Sequence, residues 1–300
     1  AGEKVVIKVT KDAAGKQEIN HERTCRSLIN TLNFAYDVFA VPTELLHVTA
    51  GGYLINVQLY IPQAVSFLER PLLEQFDFAL RAFTAQENSR ATTGAHLDLI
   101  KKTFGLMETK DYLSTFTNFV EANRADDAVS PLLKQVYQTL TTRALRVTQY
   151  GNFLTHNDFV PHNFRIKDNL LYLLDFSAIR FGNKHESWAR FLNFMTLHHP
   201  ALEQAFLTYF KSNRAAEEYE SLHLMRLFRL GEIITYYRQT LPKSTGNLHT
   251  LNTARIMFWS AVLAAELQNT RVADSIRQAY QTTRDALRTE DEKQRQVGLH

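Results

Sequence analysis

Residues 153–177 read Phe153-Leu154-Thr155-His156-Asn157-Asp158-Phe159-Val160-Pro161-His162-Asn163-Phe164-Arg165-Ile166-Lys167-Asp168-Asn169-Leu170-Leu171-Tyr172-Leu173-Leu174-Asp175-Phe176-Ser177. His156, Asp158 and Asn163 stand at the His-x-Asp-x-x-x-x-Asn spacing of a phosphoryl-transfer loop, and Asp175 follows the next strand where Asp-Phe-Gly places its Asp. The chemistry accounts for the spacing. Asp158 is the candidate base for the attacking hydroxyl, and Asn163 and Asp175 are the candidate Mg²⁺ ligands. Charge persists on the phosphoryl oxygens throughout the transfer, so cation ligands must be fixed on rigid elements. Residues 163–167 alternate, Asp168-Asn169 reads as a tight turn and 170–174 as a returning buried strand. The resulting hairpin delivers Asn163 and Asp175 side by side.

Asp and Asn are common loop residues, and any one of these positions alone would mean only a turn. Three fixed positions, a hairpin and an Asp-Phe pair together favour phosphotransfer. His156 reads as a brace for the loop backbone, since the base in this template is Asp.

The segment 156–163 resembles the His-Gly-Asp-Leu-His-Pro-Gly-Asn loop of the aminoglycoside phosphotransferase and choline kinase superfamily, including Pro161 two residues before the Asn. The resemblance follows the order of elements over nearly the whole chain, although only the loop and the Asp-Phe are specific. It implies an α+β, protein-kinase-like two-lobed fold. A small β-rich nucleotide lobe would span 1–61, truncated before the Lys strand. A large helical lobe would span 62–300, with the catalytic loop at 154–177 and acceptor-binding helices at 186–290. ATP and Mg²⁺ are the implied cofactors.

Composition permits this. Three hundred residues with 45% apolar content can bury one large or two modest cores. The formal charge of +3 is spread thinly, with 16 basic and 16 acidic side chains in 1–150 against 18 and 15 in 151–300, so neither half reads as a nucleic-acid surface. Cys25 is the single cysteine, which excludes an intramolecular disulfide framework and a zinc-finger type of site. The longest apolar run, 256–265, is about half a membrane crossing, and no signal-peptide pattern opens the chain. The reading is a soluble, cytoplasmic protein.

Upstream of the loop, Val5-Val6-Ile7-Lys8-Val9 has the pattern of the strand whose Lys contacts the nucleotide phosphates. A Lys on the solvent face of an edge strand would look similar, but its place ahead of the loop favours Lys8 as the phosphate contact, with Val6 on the same face. From Gln17 to Leu32 the pattern is helical. Glu18 and Glu22 are both candidates to pair with Lys8. Glu22 is preferred, because it precedes Cys25 and Leu28 much as the family Glu precedes its apolar residues, while Glu18 lies near the helix start. A hairpin around Gly51-Gly52 leads to Pro62, and the resemblance places backbone groups from Gln58 to Tyr60 at the adenine. A phosphate-covering glycine-rich loop is expected before Lys8, yet Gly2 is the only glycine there. Either its strands lie upstream of residue 1, which is the preferred expectation, or the nucleotide is covered differently, or none is used.

Helical periodicity fills 71–150 and 202–287. Ser177 stands where the family often has a second acid. Between Phe176 and a helix beginning near Glu186 there is no room for a peptide-docking activation segment, which points to a small-molecule acceptor. Basic residues outnumber acids on the later helices, so that acceptor reads as neutral or anionic, with Arg226 and Arg229, one turn apart, facing it. The charged tail from Thr289 to Gln296 is expected to fray. The leading function is an ATP-dependent kinase of a small-molecule hydroxyl, such as a sugar or amino alcohol. A kinase-like scaffold without activity and an aminoglycoside resistance kinase are the alternatives.

Overall fold

The β-branched alternation at 5–9, the Gly-Gly pair at 51–52 and the capping residues after Thr10 build the first elements. The computed structural model describes residues 3–32, 39–63, 65–89, 93–168, 170–290 and 293. Gly2, Asn169 of the expected turn, and residues 291–292 and 294–296 of the tail lie outside them. The chain forms two compact units, Ala1–Leu106 with Gly151–Phe191, and Met107–Tyr150 with Leu192–His300.

The first unit opens with an antiparallel sheet of β1 (Val5–Thr10), β3 (Tyr53–Leu59) and β2 (Glu44–Ala50), in the order β1-β3-β2. Gly51 and Gly52 take left-handed φ values of 57° and 83°, as a two-residue hairpin with Ala50 opposite Tyr53 requires. Helix α1 (Ala13–Thr31) starts just beyond β1. Asp12 caps it, accepting the Gly15 N–H at 2.7 Å on one oxygen and the Thr10 hydroxyl at 2.6 Å on the other. In β1, Lys8 pairs with Asn56 and Val6 with Gln58, both buried residues of β3, so Val6 and Lys8 share one face and Val5, Ile7 and Val9 the other; Val6 is exposed like the residues of that other face.

Helices α2 (Leu72–Asn88) and α3 (Gly94–Thr103) follow, and the strand β4 (Gly105–Leu106). After the second unit's first helices the chain returns as β5 (Phe153–His156), the hairpin β6 (Phe164–Lys167) and β7 (Leu170–Leu173), and β8 (Ile179–Gly182). Strand β8 lies between β4 and β5 and occupies the stretch where no activation segment was expected. Helix α7 (His185–His198) begins in the first unit. Phe67, Phe83, Phe159, Phe164, Trp188 and Phe191 form a buried ring cluster beneath the loop, with Phe83 stacked on Trp188 at 3.5 Å.

The second unit is helical: α4 (Thr109–Ala122), α5 (Ser130–Thr142), α6 (Ala144–Gln149), α8 (Pro200–Asn213), α9 (Ala216–Thr240), α10 (Gly246–Leu267) and α11 (Asp274–Leu287). Helix α9 is buried on most of its surface, charged residues included, and packs against α4, α5, α6, α8 and α10 as the unit's central element. Gly231 lets it approach α4, since a Cβ there would come within 2.6 Å of the Phe116 ring.

The same burial of α9 corrects the expectation for Arg226 and Arg229. Arg226, 2% exposed, donates to Glu203 at 2.6 Å and to Asn193 at 3.0 Å, and pairs with Glu266 at 3.4 Å. Arg229 is also buried and pairs with Glu232 at 2.7 Å. These cations serve carboxylates of their own unit. No helix among the described residues is long and apolar enough to cross a membrane. Arg226→Met is expected to lower stability by about 3–5 kcal/mol, because Glu203 and Glu266 lose a buried counter-ion. Urea unfolding of the variant checks this, and an unchanged midpoint would contradict it.

Candidate active site

The loop after β5 is held by its apolar members: Phe159, Val160 and Pro161 are buried, and Pro161–Asn163 form a short 3-10 turn. Arg165 Nη1 donates to the carbonyls of Pro161, His162 and Phe164 at 3.2, 2.9 and 2.9 Å and so staples that turn. Across the hairpin, Leu174 N–H donates to the Asn163 carbonyl at 2.8 Å, which brings Asn163 beside the residue before Asp175. The side chain of Asn163 then turns toward Asp158, and its Nδ2 donates to the Asp158 carbonyl at 2.7 Å and to Oδ2 at 3.0 Å.

Asp175 sits at φ 52°, ψ 60°, a left-handed conformation that Asp tolerates better than most side chains and that clusters at functional positions. Ser177, at the place of the family's second acid, donates to Asp175 Oδ1 at 2.7 Å. Among the described residues, Asn163 Oδ1 and Asp175 Oδ2 have no hydrogen-bond donor, which leaves one carbonyl-type and one carboxylate oxygen free. That donor set suits Mg²⁺, which takes one or two protein oxygens and completes its shell with phosphates and water. Among the described residues no three His, Cys, Asp or Glu side chains converge to hold a metal alone.

His156 is the brace. It is 1% exposed, accepts the Asp158 N–H on Nδ1 at 3.2 Å, and lies with Nε2 at 3.1 and 3.0 Å from the carbonyls of Leu174 and Asp175. Acceptance at Nδ1 puts the proton on Nε2, which donates it to those carbonyls. The imidazole therefore links the loop bearing Asp158 to the turn bearing Asp175.

On the sheet, Lys8 Nζ and Glu22 Oε2 are 2.6 Å apart, with Glu22 buried on α1. Helix α1 also packs against the Phe176–Ala178 turn that follows Asp175. Glu18, the other candidate, makes no ion pair with Lys8. Gln58 is buried and donates to Asn56 Oδ1 at 2.6 Å. The N–H groups of Leu59 and Tyr60 are used by the carbonyls of Thr43 and Lys4, so a base at this segment must use other groups. Cys25 takes no part: burial, helped by the nearby Glu22 charge, pushes its thiol up to about 12.

Three supports escaped the sequence reading. Arg190 on α7 donates through Nε and Nη2 to Asp158 Oδ1 at 3.0 and 2.7 Å. Ser187 Oγ accepts the His156 N–H at 2.9 Å and lies 2.8 Å from the Thr155 hydroxyl. Glu186, fully buried, is paired by Arg180. One signal was available: charged residues in a run as apolar as Trp188-Ala189-Arg190-Phe191-Leu192 need partners of opposite charge.

No protein-family model and no curated protein matches the sequence. Solved structures do. A thermostable mutant of aminoglycoside phosphotransferase APH(4)-Ia in its apo form is similar with a TM-score of 0.62 and 16% identity, covering 89% of this chain and 88% of that one. The GDP complex of aminoglycoside 2'-phosphotransferase-IIIa gives 0.64 at 14% identity, covering 86% of each chain. The streptomycin-ATP complex of APH(2")-IIa gives 0.54 at 14%, covering 84% of each. The chain has the protein-kinase-like fold of the aminoglycoside phosphotransferases. In that fold the α+β reading of the sequence is met, with a small three-stranded sheet and a large helical remainder.

Burial holds the His156 pKa below imidazole's ordinary 6.5, against the opposite pull of the Leu174 carbonyl and the charges of Asp175 and Asp158. An unfolded chain takes up this proton near 6.5 while the folded one resists it. The unfolded state then binds more protons, and stability falls as pH drops below about 6.5. In His156→Gln that contribution is absent. Urea unfolding between about pH 6.5 and 5 should give a shallower loss of stability for the variant than for wild type; parallel slopes would contradict a neutral His156.

Proposed function

We propose that this protein is an ATP-dependent phosphotransferase acting on a hydroxyl of a small molecule, with an aminoglycoside as the favoured acceptor class. The observation that carries the reading is the Asn163–Asp158 contact, the His156 link from Asp158 to Asp175, and a Lys8–Glu22 ion pair on the helix packed against the turn after Asp175, in this fold. An aminoglycoside is favoured over a sugar or amino alcohol because the similar structures are aminoglycoside phosphotransferases, among them a ternary complex with ADP and hygromycin B. The basic bias of the later helices, which argued for a neutral or anionic acceptor, loses force once Arg226 and Arg229 are paired inside their own unit.

In this reading Lys8, oriented by Glu22, holds the nucleotide phosphates. Asp158 orients the acceptor hydroxyl and takes its proton as the acceptor oxygen bonds to the γ-phosphorus and the bond to the β–γ bridging oxygen breaks. Asn163 Oδ1 and Asp175 Oδ2 would hold Mg²⁺, whose charge offsets that of the phosphoryl oxygens. His156 and Ser177 fix the positions of Asp158 and Asp175.

Nucleoside diphosphate release, ADP from ATP or GDP from GTP, should be measured against hygromycin B, streptomycin, sugars and amino alcohols. Turnover with an aminoglycoside is the expected result, and turnover confined to sugars or amino alcohols would overturn the acceptor class. Asp158→Asn should lower kcat by roughly 10²–10⁴-fold with little change in Mg-ATP affinity. Asp175→Ala should abolish the thermal stabilisation by millimolar Mg-ATP, because that shift scales with affinity. A wild-type protein with neither ADP release nor a nucleotide-dependent shift would be a scaffold, and the enzymatic reading would be wrong.

A further inference from the structure

Arg190 follows an anchored stretch of α7. Glu186 is fully buried and paired by Arg180, Ser187 binds the His156 N–H, and Trp188 stacks on Phe83 with the rings 11° from parallel. From this base the guanidinium places two nitrogens on one oxygen of Asp158, Oδ1, while Asn163 donates to Oδ2. The two partners differ in exposure, 15% for the arginine side chain and 45% for the aspartate. An ion pair with one partner that open contributes little to folding stability. It does limit rotation of the carboxylate, because Arg190 holds Oδ1 while Asn163 holds Oδ2.

We propose that Arg190 is a positioning residue for phosphotransfer: it holds the Asp158 carboxylate in the orientation from which it meets the acceptor hydroxyl. The inference rests on the phosphotransferase reading above. A cation beside a base weakens the base, but a loose, metaphosphate-like transition state asks the aspartate mainly for orientation. Misplacing a catalytic group by about 1 Å costs on the order of 10²-fold in rate. The proton passes from acceptor oxygen to Asp158 as the new O–P bond forms and ADP leaves. Arg190 takes no proton.

The test has two arms. Crystal structures of wild type, Arg190→Gln and Arg190→Lys should show Asp158 in one orientation in wild type, displaced or divided between rotamers in Arg190→Gln, and closer to wild type in Arg190→Lys. In the kinetic arm, Arg190→Gln should lower kcat by roughly 10–100-fold with KM for Mg-ATP within about twofold, and Arg190→Lys should regain part of that loss. In an Asp158→Asn background, Arg190→Gln should cost less than about twofold more, since a residue acting only through Asp158 has nothing left to position. An Asp158 orientation unchanged in Arg190→Gln, or losses that multiply in the double variant, would overturn the proposal. If wild type transfers no phosphoryl group to any acceptor, the functional reading fails on its own, and the crystal structures still decide whether Arg190 positions Asp158. Should Arg190→Gln fail to fold, the comparison of Arg190→Lys with wild type decides by the same criteria.

Discussion

The buried imidazole of His156 takes the N–H of Asp158 on one nitrogen and gives its proton to the carbonyls of Leu174 and Asp175 with the other. Those two contacts join segments separated by a whole hairpin, and both ends of the hairpin carry site residues. If the ring were charged, Nδ1 would become a donor and the contact to Asp158 N–H would be lost. Burial prevents this by holding the ring neutral. The positions of Asp158, Asn163 and Asp175 therefore depend on one uncharged histidine and on the aromatic cluster under the loop.

Around that brace, fixed charges are placed according to their exposure. Arg190 meets an aspartate that stays nearly half open, so its effect is on direction. Glu186 beside Arg180, and Arg226 with Glu203, are closed away from water, where an unpaired charge is strongly destabilising. Under the proposed phosphotransferase reading, the first type bears on chemistry and the second on folding. In the sequence nothing separates the two types, because most of these partners are tens of residues apart.

Lys8 and Glu22 connect the sheet to this arrangement through α1, which touches the turn after Asp175. One helix thus carries the carboxylate that orients Lys8 and packs against the turn following a candidate metal ligand. A shift of α1 would disturb both, a coupling that follows from its short tether to β1: Asp12 caps the helix two residues beyond the strand.

The loop motif, the hairpin, Lys8, Glu22 and the succession of helices were legible because each is local. Phosphotransfer chemistry fixes spacings over eight residues, a Gly-Gly turn fixes a register, and helical periodicity marks a buried face. Ser177 could be located in the sequence but not understood, since an alcohol there suggests a missing acid until it is found donating to Asp175. Arg190, Ser187 and the inward turn of Arg226 and Arg229 were decided only by tertiary structure. Whether a long cationic side chain meets a ligand, a loop carboxylate or a buried counter-ion depends on which helix faces are covered. A helix buried on most sides, as α9 is, has too weak a periodicity to tell its covered faces from its open one.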